Sequence, residues 1–129
     1  MTFIPRLHNV FNPGDAPNML DGCTVDYMSD GKFIRLERTK TDVFLPVPGG
    51  QLTPDIKRSC YQLTSNGDRI RQYFLQSKVG IEAKAELSKL MCYFVYSGLK
   101  AATIEWIYNP VTLKPDGGFE FTAAFSAYR

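Results

Sequence analysis

The residues of this chain best suited to chemistry are arginines interleaved with tyrosines along predicted strands. Guanidinium groups bind phosphates through paired hydrogen bonds, and tyrosine rings offer surfaces on which bases stack. Recognition of single-stranded RNA uses this mixture. The candidate RNA-binding residues are Tyr61, Arg35, Arg58, Arg69 and Arg71. The alternative interpretation is a solvated sheet face, on which arginines maintain solubility and discourage aggregation at strand edges.

Alternation along a strand strengthens the first interpretation. Residues 56–76 are interpreted as a second long β element, interrupted or turned at Asn66-Gly67. If odd-numbered positions share one side of it, Tyr61, Arg69 and Arg71 point the same way. The net charge of +2 is too mild to establish nucleic-acid binding by itself. The distribution of charge therefore carries the prediction.

Catalytic and metal-binding residues are not predicted. His8 is the sole histidine, in a proline-rich segment, and no nucleophile or acid stands beside it at a recognisable spacing. Glu82 and Glu86 lie one helical turn apart, as on any exposed helix face. The three cysteines form no CxxC pair and are interpreted as reduced, apolar residues; they are Cys23, Cys60 and Cys92. We expect no enzyme, no cofactor, no metal and no small-molecule substrate.

Length and hydropathy define the class of protein. A chain of 129 residues is the size of a single domain. No apolar run approaches the roughly 18 residues that a membrane-spanning helix needs, and the first residues lack the continuous apolar stretch of a signal peptide. We expect a soluble protein made in the cytosol, with no membrane partner.

Turn residues divide the chain into four segments. Residues 1–21 form a proline-rich arm with at most one short edge strand, and residues 22–76 an antiparallel sheet. Within that sheet, Asp30-Gly31 predicts a tight hairpin, because this dipeptide tolerates positive φ angles. The segment 46–55, rich in Pro and Gly, predicts a loop. Residues 99–129 form a C-terminal segment with an extra strand; within it, 103–109 is compatible with a strand or a short second helix.

A long helix is predicted over residues 80–98. Its apolar stripe follows the helical spacing i, i+3, i+4, i+7, i+8, and comprises Leu87, Leu90, Met91, Phe94 and Val95. The opposite face also becomes apolar at its end. Either the last 30 residues of the chain cover that face, or a second subunit does, since aromatic residues and Met are enriched at interfaces. The candidate dimer-interface residues are Met91, Cys92, Tyr93 and Tyr96.

These elements together predict an α+β fold: an antiparallel sheet of about five strands with one long helix, and a possible short second helix, on one face. Their order resembles that of the coat proteins of the small single-stranded RNA bacteriophages, the levivirus-like coat proteins. Residues 53–64 resemble the start of the family's last strand, 82–98 its apolar helix, and 99–110 its second helical segment with a terminal Asn-Pro. The resemblance covers residues 22–110. The arm 1–21 and the extension after Pro110 depart from the family pattern.

The resemblance implies an intertwined homodimer that assembles into an icosahedral shell, with the RNA genome bound on the inner sheet face. Only Tyr61 matches a family RNA-contact position; the four arginines come from strand parity and charge. The loop 46–55 resembles the family loop at the symmetry axes of the shell. Such a protein is found in the virion and is made in the cytoplasm of a bacterial host. Two other classes remain open: a phage tail-tube or head–tail joining protein, and a small immunity or inhibitor protein.

Overall fold

The computed structural model describes residues 1–11, 22–61, 66–97 and 101–129. Within these ranges the chain is mostly β-strand, and the expected α+β fold with one long helix is wrong. The strands are β1 (Thr2–Phe3), β2 (Arg6–Phe11), β3 (Cys23–Ser29), β4 (Lys32–Arg35), β5 (Asp42–Pro46), β6 (Arg69–Phe74), β7 (Val79–Ala85), β8 (Leu90–Ser97), β9 (Ala102–Tyr108), β10 (Val111–Thr112) and β11 (Ala123–Tyr128). Helical structure in the described residues is slight: helix α1 (Pro54–Ser59) and a 3-10 turn at Leu87–Lys89.

Two antiparallel sheets form a sandwich. The larger has five strands in the order β11-β7-β6-β3-β4, and the smaller has four in the order β2-β9-β8-β5. A two-stranded ladder of β1 and β10 lies apart from both. The chain passes from one sheet to the other between β2 and β3, between β4 and β5, between β5 and β6, between β7 and β8, and between β9 and β11. Each sheet is therefore assembled from distant parts of the sequence. Facing side chains bury a shared core that includes Val25, Ile70, Leu45, Ile104 and Trp106.

The hairpin predicted around Asp30-Gly31 is present. Strands β3 and β4 pair antiparallel, with Ser29 opposite Lys32. Asp30 and Gly31 both have positive φ angles, 51° and 77°, as a two-residue hairpin turn requires. The segment between Pro46 and Pro54 is a loop, as its Pro and Gly content predicts.

The predicted helix over 80–98 is wrong, because its residues form β7, the 3-10 turn and β8. In β7, alternate residues face the core while Glu82 and Lys84 face solvent, which is a strand pattern with period two. In β8, six of the eight residues are buried because both faces of the strand are covered. A short, continuous apolar run rich in aromatic residues fits a doubly buried strand as well as a helix. Gly98, expected at the end of the helix, lies outside the described residues.

Three further regions differ from the expectation or settle it. The expected long β element starting near Ile56 begins instead with helix α1: the Thr53 side chain accepts a hydrogen bond from the Ile56 N–H, and Pro54 occupies the first turn, where its missing N–H costs nothing. The residues between Ala102 and Tyr108 are strand β9 and not a second helix. The arm expected at 1–21 was to hold at most one short edge strand, but it contains two strands, β1 and the edge strand β2, which pairs with β9.

Candidate nucleic-acid interface

The outer face of the five-stranded sheet brings together most of the basic residues singled out in the sequence. Arg35 on β4 and Arg71 on β6 both lie in register with Asp26 of β3, and Arg69 is in register with Lys84 of β7. The inward-facing residues of these strands belong to the core, so the basic residues share the opposite, solvent side. We call this surface the arginine face. It comprises Arg35, Arg69, Arg71, Lys84, Phe33, Tyr73 and Tyr128 with the carboxylates Asp26, Asp68 and Glu82.

Aromatic rings flank the central arginine of this face. The Arg71 guanidinium carbon lies 3.8 Å from the centroid of the Phe33 ring and 5.0 Å from that of Tyr128. The Tyr73 and Tyr128 rings are 6.1 Å apart, inclined by 34°. Guanidinium–ring contacts of this kind are favourable. They also hold the planar groups in place, so this part of the face is a preorganised surface of flat groups.

Gly80 makes the position of Tyr128 possible. It lies opposite both Tyr73 on β6 and Tyr128 on β11. A Cβ atom at Gly80 would come within 2.3 Å of the Tyr128 ring. Because glycine has no side chain, position 80 of β7 leaves room for the Tyr128 ring to lie over the sheet.

Ion pairs order the basic side chains of the arginine face. Glu82 Oε1 accepts hydrogen bonds from Arg71, at 3.1 Å to Nε, and lies 3.8 Å from Arg69 Nη1. Asp26 bonds the Arg35 guanidinium, and this hydrogen bond raises the pKa of Arg35 above its ordinary value. Asp68 lies 3.7 Å from both Arg69 and Lys84. Four cations face three carboxylates, so the surface carries an excess of one positive charge.

Arg58 and Tyr61 do not belong to this face. Arg58 is on helix α1, pairs with Asp55 and leaves 71% of its side chain exposed. Tyr61 is half-buried against the main core, and its N–H donates to the Phe44 carbonyl oxygen at 3.0 Å. The long β element expected over 56–76 would have placed Tyr61, but not the even-numbered Arg58, on the same side as Arg69 and Arg71. In the structure, residues 54–59 form helix α1 and the strand begins only at Arg69.

Three face residues were missed in the sequence: Phe33, Lys84 and Tyr128. Phe33 and Arg35 alternate on β4, a signal available from the predicted hairpin. Lys84 was assigned to the helix. Tyr128 reaches the face only because β11 pairs with β7, a contact between distant segments that local patterns do not reveal.

The predicted dimer-interface residues lie mainly inside the chain. Met91, Cys92 and Tyr93 are fully buried, and Tyr96 is half-buried. Tyr93 projects into the main core, where its hydroxyl donates to the Gly67 carbonyl oxygen at 3.1 Å. Met91 and Cys92 belong to a second cluster under α1. The fold of one chain therefore covers the apolar residues for which a partner was expected.

The sole histidine lies on the outer face of the smaller sheet. His8 Nε2 is 3.2 Å from Oε1 of Glu105, a carboxylate that is 3% exposed. Arg6 bonds the other oxygen, and Thr103 Oγ1 donates to Oε1 at 3.2 Å. The carboxylate is thus saturated with partners that tie β2 to β9. Nowhere in the described ranges do three or more His, Cys, Asp or Glu side chains cluster so as to hold a metal ion.

None of the described helices is long and apolar enough to cross a membrane. Comparisons of the chain with protein-family models, curated proteins and solved structures gave no match. The functional interpretation therefore depends on the geometry of the arginine face.

Proposed function

We propose that this protein binds single-stranded RNA on its arginine face and performs no chemistry on it. The observation that carries the proposal is the stacking of Arg71 between Phe33 and Tyr128 on an accessible sheet face that also holds Arg35, Arg69 and Lys84. Flat groups favour exposed bases, and the surrounding cations favour the backbone that links them.

Sheets that bind single strands combine both features, because stacking tolerates any base while cations follow the phosphates. Duplex RNA buries its bases and offers no ring for Tyr73 or Tyr128 to stack on. We therefore expect unstructured RNA to bind more tightly than duplex RNA of equal length. The modest excess of positive charge gives moderate affinity with a measurable dependence on salt.

Arg71→Gln tests the site directly. It removes the central cation and weakens the ring contacts, so we expect at least about tenfold weaker binding to a fluorescent single-stranded oligonucleotide. With three phosphate contacts, the logarithm of the binding constant should fall with the logarithm of the salt concentration with a slope of about −2, and each lost contact should reduce the size of that slope by about 0.7.

Arg58→Gln is the matched control: the same change on the opposite side of the molecule should leave the affinity for RNA within about twofold. Equal losses in both variants would contradict the proposed site.

Glu82→Gln is expected to act in the opposite direction. It removes the carboxylate that competes with phosphate for Arg69 and Arg71, so RNA binding should strengthen by a few-fold at low salt and the gain should shrink at high salt. Weaker RNA binding by Glu82→Gln would contradict this competition and would mean that the ion pair holds Arg71 in place for RNA.

The role of a viral coat protein is a narrower form of this proposal. Its support is the RNA-binding chemistry of the face, since the helix that contributed to the resemblance at 82–98 is replaced by strands. If the protein coats a genome, purified material should form closed particles of uniform size with an excess of absorbance at 260 nm that nuclease and high salt remove. Rings or tubes free of RNA would favour a tail-tube or head–tail joining protein instead. A stable monomer that binds RNA would retain the arginine-face proposal and exclude the coat role.

A further inference from the structure

Glu82 is the carboxylate at the centre of the arginine face, and only one of its two oxygens is engaged. Arg71 reaches Oε1 through Nε at 3.1 Å and Nη2 at 3.0 Å, and Nη1 of Arg69 lies 3.8 Å from the same oxygen. Within the described residues, no group donates a hydrogen bond to Oε2. An ionised carboxylate has about four acceptor positions, so Glu82, with 18% of its side chain exposed, retains acceptors for a ligand.

The other two carboxylates of the face are placed differently. Asp68 has a cation beside each oxygen, since Arg69 Nε lies 3.7 Å from Oδ1 and Lys84 Nζ lies 3.7 Å from Oδ2. Asp26 bonds the guanidinium of Arg35, on the outermost strand at the β4 end of the sheet. Glu82 is therefore the carboxylate of the face that lies on β7, next to the tyrosines.

These tyrosines give a base a surface on which to stack beside Glu82. Gly80, the next outward-facing residue of β7, is in register with both Tyr73 and Tyr128. Burial raises the pKa of Tyr128, and the charges of Asp26 and Glu82 raise it further, so its hydroxyl lies near these carboxylates. A base that stacks on the Tyr128 ring therefore has its edge within reach of Glu82.

Base edges differ in what they offer to a carboxylate. On its Watson–Crick edge, guanine presents two adjacent donors, N1–H and N2–H, next to the O6 acceptor. Adenine and cytosine present one amino donor on this edge, and uracil presents one imino donor between two acceptors. A carboxylate therefore makes two charge-assisted hydrogen bonds with guanine and one with each of the other bases.

We infer that the arginine face prefers guanine, with Glu82 accepting hydrogen bonds from the N1–H and N2–H groups of a base stacked on Tyr128. The inference rests on the proposed binding of single-stranded RNA to this face and adds a preference among the bases. Lys84, the outward-facing residue of β7 on the other side of Glu82, supplies a cation for the O6 acceptor. A two-bond contact to a base edge corresponds to a preference of about tenfold.

Competition binding with short oligouridines tests this preference. Each strand is about ten nucleotides long and carries a single guanosine, adenosine, cytidine or inosine at its centre. The guanosine strand should bind about tenfold more tightly than the other three. Inosine lacks only the N2 amino group of guanosine, so its strand should bind like the adenosine strand. Equal binding of all four strands, or a preference for adenosine or cytidine, would overturn the inference.

Glu82→Gln identifies the residue that reads the base. The amide keeps the size of the side chain but replaces one acceptor with a donor, so the preference for guanosine over inosine should fall below about twofold. Binding of plain oligouridine should not weaken, since the carboxylate that competes with phosphate is removed. Asp55→Asn, the same change on helix α1, should retain the tenfold preference. A Glu82→Gln variant that still prefers guanosine about tenfold would contradict the role of Glu82.

The two proposals fail in distinguishable ways. If no strand binds, or if Arg71→Gln leaves all affinities unchanged, RNA binding by the arginine face fails and the preference for guanine fails with it. If all strands bind equally and Arg71→Gln weakens each of them, RNA binding stands and only the preference for guanine fails.

Discussion

The outer faces of the two sheets differ in what lies over them. On the arginine face, Arg35, Arg69 and Lys84 keep 42–55% of their side chains exposed. On the outer face of the smaller sheet, Cys92 and Ile107 are at most 3% exposed. Helix α1 contributes Ile56 to the cluster that buries them. We call this second surface the covered face.

The contrast shows that one short helix makes two similar sheets different: it covers the outer face of one and not of the other. An antiparallel sheet leaves its outer face to solvent unless another element covers it. Helix α1 and the rings of Phe44 and Phe94, 4.7 Å apart, cover the smaller sheet and make it part of the stable interior. The larger sheet has no such layer in the described residues, so its outer face is available for binding. The predictions below test this division.

The largest effect is expected from opening the covered face. Ile107→Ala removes buried methyl groups beneath α1 and should lower the free energy of unfolding by about 2–5 kcal/mol. Tyr73→Ala removes more atoms from the arginine face but should cost about 1 kcal/mol, because the ring is half-exposed. Urea denaturation measures both. Similar losses would mean that the two faces are equally part of the interior.

Alkaline pH should destabilise the interior. Burial raises the pKa of the Cys23 thiol to about 11 and that of Cys92 to about 12, from ordinary values of 9.0. Above pH 9 the unfolded chain therefore releases protons that the folded chain retains, and stability falls as pH rises towards 11–12. We expect a loss of about 2 kcal/mol by pH 10. Denaturation at pH 8 and pH 10 measures it, and Cys92→Ala should reduce the difference.

The same Glu→Gln change should have unequal effects on the two faces. Glu105→Gln weakens the bonds from Arg6, His8 and Thr103 at a buried site and should cost about 1–2 kcal/mol. Glu82→Gln acts on a partly exposed ion pair and should change stability by less than about 0.5 kcal/mol. Thermal melts of the two variants compare them. A larger effect at Glu82 would show that the ion pairs of the arginine face are structural.

The smallest effect is a difference in thiol accessibility. Cys60 ends helix α1 and is half-buried, whereas Cys92 lies under the helix and is fully buried. Mild alkylation of the native protein, followed by mass spectrometry, should modify Cys60 first. Cys23 and Cys92 should react only after unfolding. Early modification of Cys92 would show that α1 does not close the covered face.

Turn residues and period-two alternation predicted the structure correctly, whereas the helical spacing of apolar residues did not. The Asp30-Gly31 hairpin and the shared face of Arg69 and Arg71 follow from local rules, turn geometry and period two, and the structure contains both. The helix over 80–98 failed because its helical spacing of apolar residues coincides with a doubly buried strand. Tyr93 illustrates the difference. The apolar residues around it indicated that something covers it, but whether this chain or a second subunit does so depends on strands far away in the sequence.

The sequence by itself determined the turns, the alternation along β3, β4 and β6, and hence which arginines share a face. Only the tertiary structure decided which face is covered, that Tyr128 joins Arg71, and that β11 stands at an edge. The physical reason is that period and turn chemistry act over a few neighbouring residues, whereas strand order is set by burial between segments far apart in the chain. Cys92 and Lys84, eight positions apart, therefore lie on different sheets, one sealed beneath a helix and the other open to solvent.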